Sequence, residues 1–567
     1  MGASSSDEMR RDKESYSVVP RLHRHTGGRS SAWRAFGEGA AQVASAVADP
    51  RAPDPRAWAR IEAGVRRAVD AHCIERAADG GGGKGEEEGV SGEEEVARVL
   101  LVVACVDVAL RAGSLMHILQ GSTQSMLTVF GLQDALEIHI NLTSVHYQLY
   151  GGHYVWMSLI TVDWNTKNLG DVSKAVSDVL ECGVPASQAL AELQTALAGG
   201  NLNALEKYLF YNSLGRSFLT IIVAFSATAA FYNGDVRDSA WAVLAALAAV
   251  AVTLIDAHVV PLRGTSDFII AYLVALLADA ATQVSGDVCA QAVELGALFW
   301  FFYGRPLVLG MMEVLDGFLV NGVVRFMTAV IKTFGLSLGV SLGAWAVSGG
   351  VSDAVLPQGG VPPGSACPDG PHLVRPLQSH LLFILCALGM QGSMHVGRGK
   401  VLVTLISQQA AWWTHVAMLA YAPTGTVIDS LAPAFACAMA ANIGVTIMRL
   451  PAGPGLGAAG RWWDTHVVPH GTTTSPWSVA FPAVYLLVPG SVAFKGAFTS
   501  TINVAGQAAN ANFFTAITTV SICLALGIKL ASVVFGILVH VFELAASMYD
   551  AGRATVVGGD EQSVGRL

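Results

Sequence analysis

Four carboxylates stand where an apolar chain has least reason to keep charge. Asp279, Glu294, Glu313 and Asp316 fall in or beside hydrophobic stretches long enough to cross a bilayer. Charge at membrane depth is costly, so it faces a cavity or a partner and tends to mark an ion pathway. Glu294, in mid-helix ahead of a break in the apolar pattern, and Asp279 on the helix before it have the chemistry of a proton relay. The plainer reading leaves Asp279 and Glu313 at the interface and only Glu294 deep.

A second set of residues frees backbone instead of carrying charge. RPLVLG at 305–310 and YLLVPG at 485–490 each close a short apolar helix. Gly310 and Gly490 permit unusual dihedrals, and Pro482 and Pro489 remove backbone donors. Carbonyls and N–H groups are then available to a zwitterion. Ser491 adds a hydroxyl, and Asn321 and Asn503 follow the two breakers at similar distances. Paired broken segments at corresponding places in two halves point to the substrate site of a secondary transporter. The substrate-binding candidates are therefore Gly310, Asn321, Pro489, Gly490, Ser491 and Asn503; the competing reading is simple kinks and small-residue helix contacts.

Other candidates are weaker. GSTQS at 121–125, with Gly121, Ser122 and Gln124, is a polar helix patch that binds a ligand, touches the membrane part, or is only a turn or helix contact. His139, His146 and His153 recur every seven residues, a spacing that does not by itself put them on one sheet face. The eight cysteines are scattered singly and argue for neither a zinc site nor a disulfide framework. No serine, cysteine or acid constellation has catalytic spacing, so the reading is not an enzyme, with no cofactor and no metal.

Of the 567 residues, 52% are hydrophobic and only 14% charged, with mean hydropathy +0.48, whereas soluble domains carry roughly a quarter charged residues. This is the composition of an integral, multi-pass membrane protein. Much of the net charge of −9 comes from one acidic tract at 80–95, read as a solvated linker; nothing suggests a nucleic-acid partner. The N-terminal residues mix both charge signs and lack the apolar core of a secretory signal, so a cytoplasmic N-terminus is expected, in a plasma or organelle membrane.

Residues 1–95 read as a disordered leader and acidic linker, with a short amphipathic helix near 58–77. Residues 96–212 read as a soluble α+β domain: helical spacing to about 131, then three β-rich runs at 136–143, 144–152 and 155–162 forming an antiparallel meander, then helices to 211. About ten apolar segments follow, at 215–232, 239–257, 267–285, 288–303 and 322–347, then 378–396, 401–421, 429–448, 476–490 and 512–530. A Gly/Pro-rich connector, 349–377, separates a first half, 213–348, from a second, 378–540, and a tail runs from 541 to 567. Inner connections hold Lys207, Arg216, Arg263, Arg305, Arg325, Arg398, Lys400, Arg449 and Arg461, outer ones only Arg237, Arg375 and Lys495, as the positive-inside rule requires. With five spans in each half, the second starts from the opposite face, so the halves form an inverted repeat.

The order of these parts resembles the threonine/serine exporter family. RAGSLMHILQGSTQ, three strands and NLGDVSKAVSDVLECGVPASQALAEL precede the spans; RPLVLGMMEVLDGFLVNGVVRFMTAVIKTFGLSLGVSLG resembles the end of the family's first half, and YLLVPGS with GAFTS and ITTVSICLALGIK its second. Coverage runs from Val96 to Ser532. The resemblance implies proton-driven export of threonine and serine, an antiporter with a small amino acid and protons as partners in a lipid bilayer, as a monomer or homo-oligomer. Members similar to bacterial exporters have Gly-Ala-x-Thr-x-Arg where this chain has GSTQSM, so Met126 replaces the Arg. The long leader and acidic linker mark a divergent, eukaryotic-type member.

The expected fold is thus a polytopic α-helical membrane protein of about ten spans in two five-helix inverted repeats, preceded by a soluble α+β cytoplasmic domain. The rival reading is a non-transporting membrane protein with a regulatory or partner-binding domain.

Overall fold

The computed structural model describes residues 55–78, 92–141, 144–150, 154–159, 165–199, 213–232, 234–256, 265–285, 288–348, 376–421, 427–451, 474–487 and 507–561, with isolated positions at 206, 460–461, 463 and 467. Its first helix, α1 (Pro55–Ala78), opens on a proline, which is tolerated in the first turn because that N–H has no intrahelical partner. The next, α2 (Gly92–Arg111), carries Glu93, Glu94 and Glu95 in its first turn, where they complement the positive end of the helix dipole. Every residue from Val99 to Val106 is buried. An all-round apolar helix of this kind belongs at the centre of a core, and here it is packed by α1 and by α3 (Met116–Phe130), α4 (Thr166–Leu180) and α5 (Ala186–Leu197). The acidic tract therefore ends inside the fold. Glu94 Oε1 accepts the Ala186 N–H at 2.7 Å, capping α5, whose own N-cap, Pro185, offers no side-chain acceptor.

The meander is present as β1 (Leu136–Ile140), β2 (Ser144–Leu149) and β3 (Tyr154–Leu159), antiparallel in the order β1-β2-β3. Val145, Tyr147 and Leu149 point into the core and His146 outward, the alternation of a sheet wet on one side. Tyr147 stacks on Trp156 with centroids 4.8 Å apart. Asp107, from α2, accepts the Tyr147 hydroxyl at 2.5 Å and the Ser158 hydroxyl at 2.6 Å. Burial pushes its carboxyl above the ordinary range, against these two bonds and Arg111.

Among the described residues, ten apolar helical segments follow. They are α6 (Ser213–Phe231), α7 (Val236–Asp256), α8 (Ser266–Ser285), the pair α9 (Ala290–Ala297) and α10 (Gly304–Leu315), α11 (Leu319–Ser348), α12 (Pro376–Ser393), α13 (Arg398–Tyr421), α14 (Ile428–Arg449), α15 (Pro476–Leu487) and α16 (Gln507–Glu561). By length and composition five are able to cross a membrane, α7, α8, α11, α14 and α16, and the bent α9–α10 pair makes six. The apolar stretches of α6, α12 and α15 are shorter.

Small residues set the closest crossings. A Cβ on Gly339 would lie 2.5 Å from Phe268 O and 2.8 Å from Ala271 Cβ, and one on Gly343 2.4 Å from Tyr272 O, so α11 and α8 touch backbone to backbone. On Gly527 it would lie 2.5 Å from Leu431 O and 2.9 Å from Ala434 Cβ, joining α16 to α14 in the same way. Among the described residues, α7 packs on α8 and α9 as α13 packs on α14 and α15, and α6 packs on α12.

Two expectations need correction. RPLVLG does not close a helix: it lies inside α10, and the break comes earlier, at 298–303, where a 3-10 turn (Phe299–Phe301) separates helices bent by 52°. Pro306 is the physical reason, since a proline ring clashes with the carbonyl four residues back and suits only the first turn of a new helix. Arg305 and Arg325 consequently lie within helices, 8% and 7% exposed, and are not loop charges. Nor are all cysteines free: Cys289, just before α9, is disulfide-bonded, whereas Cys105, Cys182, Cys386, Cys437 and Cys523 are free.

Candidate functional site

The break between α9 and α10 takes backbone out of the helical ladder, and a side chain from the second half meets it. Tyr485, on α15, donates its hydroxyl to Phe299 O at 2.9 Å and Trp300 O at 3.3 Å. Arg305, the second residue of α10, lies over the ring of Tyr485 at 4.4 Å and that of Trp300 at 4.9 Å. The two rings are 5.7 Å apart and inclined at 52°, forming a cup. Phe299 packs edge-on against Tyr485 and stacks on Phe231, which meets Phe383 and Trp412. Polar groups continue through the second half: the amides of Gln391 and Gln408 pair at 2.7 Å, Gln408 reaches Pro482 O at 3.4 Å, and Ser407 donates to Cys437 O at 2.8 Å.

Glu294 lies on α9 one turn before the break, and Asp279, on α8, is close enough to act on it electrostatically. The other two carboxylates sit at the far end of α10. Glu313 is fully buried and pairs with Arg325 at 3.1 Å, with the backbone N–H of Met116 facing it. Asp316 takes Lys529 from α16 and His117 from α3, the latter at 2.8 Å. The four thus divide into two pairs, one beside the break and one where the first half, the second half and the α+β region meet. That junction is widened by Thr166, whose N–H and hydroxyl both bond Met394 O at 3.0 Å.

The breaker residues have different surroundings. Gly310 lies at the α10–α11 crossing, where an added Cβ would be 2.7 Å from Gly322 O and 2.9 Å from Phe326 N. Asn321 lies in the first turn of α11, half-buried. Pro482 is buried inside α15, while Pro489, Gly490, Ser491 and Asn503 lie outside the described residues. Gly121 and Gln124 are exposed on α3, and Ser122 bonds back to Ile118 O. His139 and His146 face one another across β1 and β2 on the outer side; His153 lies outside the described residues. Arg305, Trp300 and Tyr485 were not among the sequence candidates, although Gly-Arg-Pro directly after the aromatic run FWFFY is a readable signal of a helix start beside rings.

A chain with this many apolar helices, five or six of them able to cross a membrane by length and composition, is consistent with a polytopic membrane protein. Residues 101–346 match the ThrE family model, described as "Putative threonine/serine exporter", and that stretch is similar to the threonine/serine exporter family. The match covers most of the α+β region and the first half through α11; the resemblance read in the second half lies beyond it. No curated protein and no solved structure matches the chain.

Proposed function

We propose that the chain exports small hydroxylated amino acids, threonine and serine, by alternating access between α6–α11 and α12–α16, coupled to protons. The observation that carries this reading is the exporter-family match over residues 101–346, a stretch that contains the broken span. Two inverted five-span halves are supported by the glycine crossings: Gly339 approaches a carbonyl, then a Cβ three residues on, in α8, and Gly527 approaches the same atoms in α14. Parity supports ten spans. The start of α6 and the end of α12 meet through Arg216 and His395, 3.1 Å apart, and the end of α10 lies at the α+β region through His117, so the connecting helices cross an even number of times.

The disulfide at Cys289 suits an oxidising compartment and lies at the opposite end of the broken span from the α+β region, in keeping with a cytoplasmic position for the latter. Substrate passes at the break, with Gly310, Asn321, Pro489, Gly490, Ser491 and Asn503 as the candidate binding residues. Glu294 and Asp279 carry the proton, and Glu313 and Asp316 change partners as the halves move. The chain acts as a carrier and not as an enzyme.

Purified protein in proteoliposomes should exchange labelled threonine or serine, and a pH gradient should drive net movement that Glu294→Gln abolishes. Flux equal to that of empty vesicles refutes transport and favours a regulatory role for the α+β region. Export by Glu294→Gln at the wild-type rate refutes the coupling assignment.

A further inference from the structure

We propose that the Asp316–Lys529 pair is a gate on the side of the pathway facing the α+β region, and that α3 of that region is its bolt; this rests on the transport reading and adds how access at that end is controlled. Asp316 caps the C-terminal end of α10, about 18 Å from the start of that helix at a rise of about 1.5 Å per residue. Lys529 comes from α16. The pair therefore joins α6–α11 to α12–α16 at the end of the broken span, and movement of one set against the other must stretch it.

The two carboxylate oxygens divide the work. Oδ1 takes Lys529, and Oδ2 lies 2.8 Å from His117 Nδ1 on α3, so one side chain holds both halves and the α+β region. Water reaches the pair, the Asp316 and Lys529 side chains being 16% and 29% exposed. Its charges are solvated when they part, and a pair of that kind contributes little net stability, whereas parting a buried pair strands unsolvated charge. The bolt is seated by apolar contact as well: Leu115 is 1% exposed, in one cluster with Val308 and Met312 of α10 and Leu524 and Ile528 of α16. The same three-part arrangement recurs at the turn between α12 and α13. Thr166, of the α+β region, bonds Met394 O through its N–H and its hydroxyl, and the neighbouring His395 is 3.1 Å from Arg216 of α6. His395 is held at φ +54°, a left-handed conformation that is uncommon outside glycine and that collects at switch regions.

The test uses the full-length protein in proteoliposomes. Asp316→Cys combined with Lys529→Cys, bridged by a short bifunctional thiol reagent that reduction removes, should lose threonine exchange about tenfold or more and regain it on reduction; the single-cysteine variants should ignore the reagent. In the wild type, acylation of Lys529 by a water-soluble amine reagent, read by mass spectrometry, should rise several-fold while threonine exchanges. His117→Gln should raise that acylation without threonine. Undiminished exchange by the bridged protein overturns the gate and leaves transport standing. Acylation of Lys529 that does not change in wild type exchanging threonine does the same, and this measurement decides if the double-cysteine variant does not fold or moves no substrate before bridging. Acylation that His117→Gln does not raise overturns the role of α3 as the bolt. Wild type that moves neither threonine nor serine overturns both the gate and the transport reading.

Discussion

Replacing Arg325 by Met should destabilise the protein far more than removing Arg325 and Glu313 together. Glu313 is fully buried, Arg325 is 7% exposed, and their charged groups are 3.1 Å apart. At an effective dielectric of about 20 their attraction is about 5 kcal/mol, set against a desolvation cost of several kcal/mol for each ion, so the pair itself contributes little net stability. Removing one partner forfeits the attraction and leaves the other charge buried, a loss of about 3–5 kcal/mol. The double replacement Glu313→Gln with Arg325→Met removes both charges and should lie within about 1–2 kcal/mol of wild type. Reversible unfolding in mixed detergent, applied as a double-mutant cycle, reads the coupling directly. Additive single losses, or an Arg325→Met loss below about 1 kcal/mol, would refute the assignment of these residues as one buried pair. The same double variant separates structure from proton coupling: if it is stable yet moves substrate without responding to a pH gradient, Glu313 takes part in coupling as well as in packing.

Gly310→Ala should lower the melting temperature because its Cβ would be 2.7 Å from Gly322 O, whereas Gly335→Ala, with nothing within 4 Å, should be neutral or stabilising; equal melting of the two refutes the crossing. Tyr147→Phe withdraws one donor from half-buried Asp107 and should cost about 1–3 kcal/mol, while Tyr150→Phe on wild-type background tests the bond to Glu95 at the end of the acidic tract and should cost less. Burial holds the His117 imidazole below its ordinary value of 6.5, with Asp316 opposing and Lys529 assisting. The unfolded chain then binds more protons, so stability is whole above that value and falls as pH drops below it. Thermal melting at pH 7.5 and 5.5 should show the decline, and His117→Gln should flatten it; an unchanged pH dependence in that variant removes His117 from the account.

The sequence disclosed the elements better than the contacts. The three strands were legible because β-branched and aromatic residues alternate between turn signals, and most apolar segments fell close to an observed helix because hydrophobic length is a one-dimensional property, whereas 288–303 contains a break and 512–530 is part of a helix that runs to Glu561. The two helices of 92–130 could be read only as one interrupted run, since the turn at 112–115 depends on Gly113 adopting a left-handed conformation at φ +84°. Gly310 was legible as an unusual position but not as a crossing, because its neighbour, Gly322, becomes a neighbour only when α11 folds back. Arg305 was taken for a loop charge for a related reason. Its side chain is distinguished by Tyr485, which is far away in sequence, and charge counting alone assigns an arginine after an apolar run to the next loop.

The last helix has a mechanical consequence. At about 1.5 Å per residue its 55 residues extend to about 80 Å, while Gly527, where it is clasped by α14, and Lys529, where it is tied to Asp316, are neighbours on the same turn. Ahead of these points Ile517 is buried and Phe514 packs on Phe326, whereas residues beyond Ala531 are mostly exposed, so that distal part works as a pointer on a pivot. A swing of about 10° there displaces a residue about 40 Å away by roughly 7 Å, well within what a pair of distance labels resolves. The distal turns of this helix are therefore the natural place to read, from outside the bilayer, motions that are small where they begin.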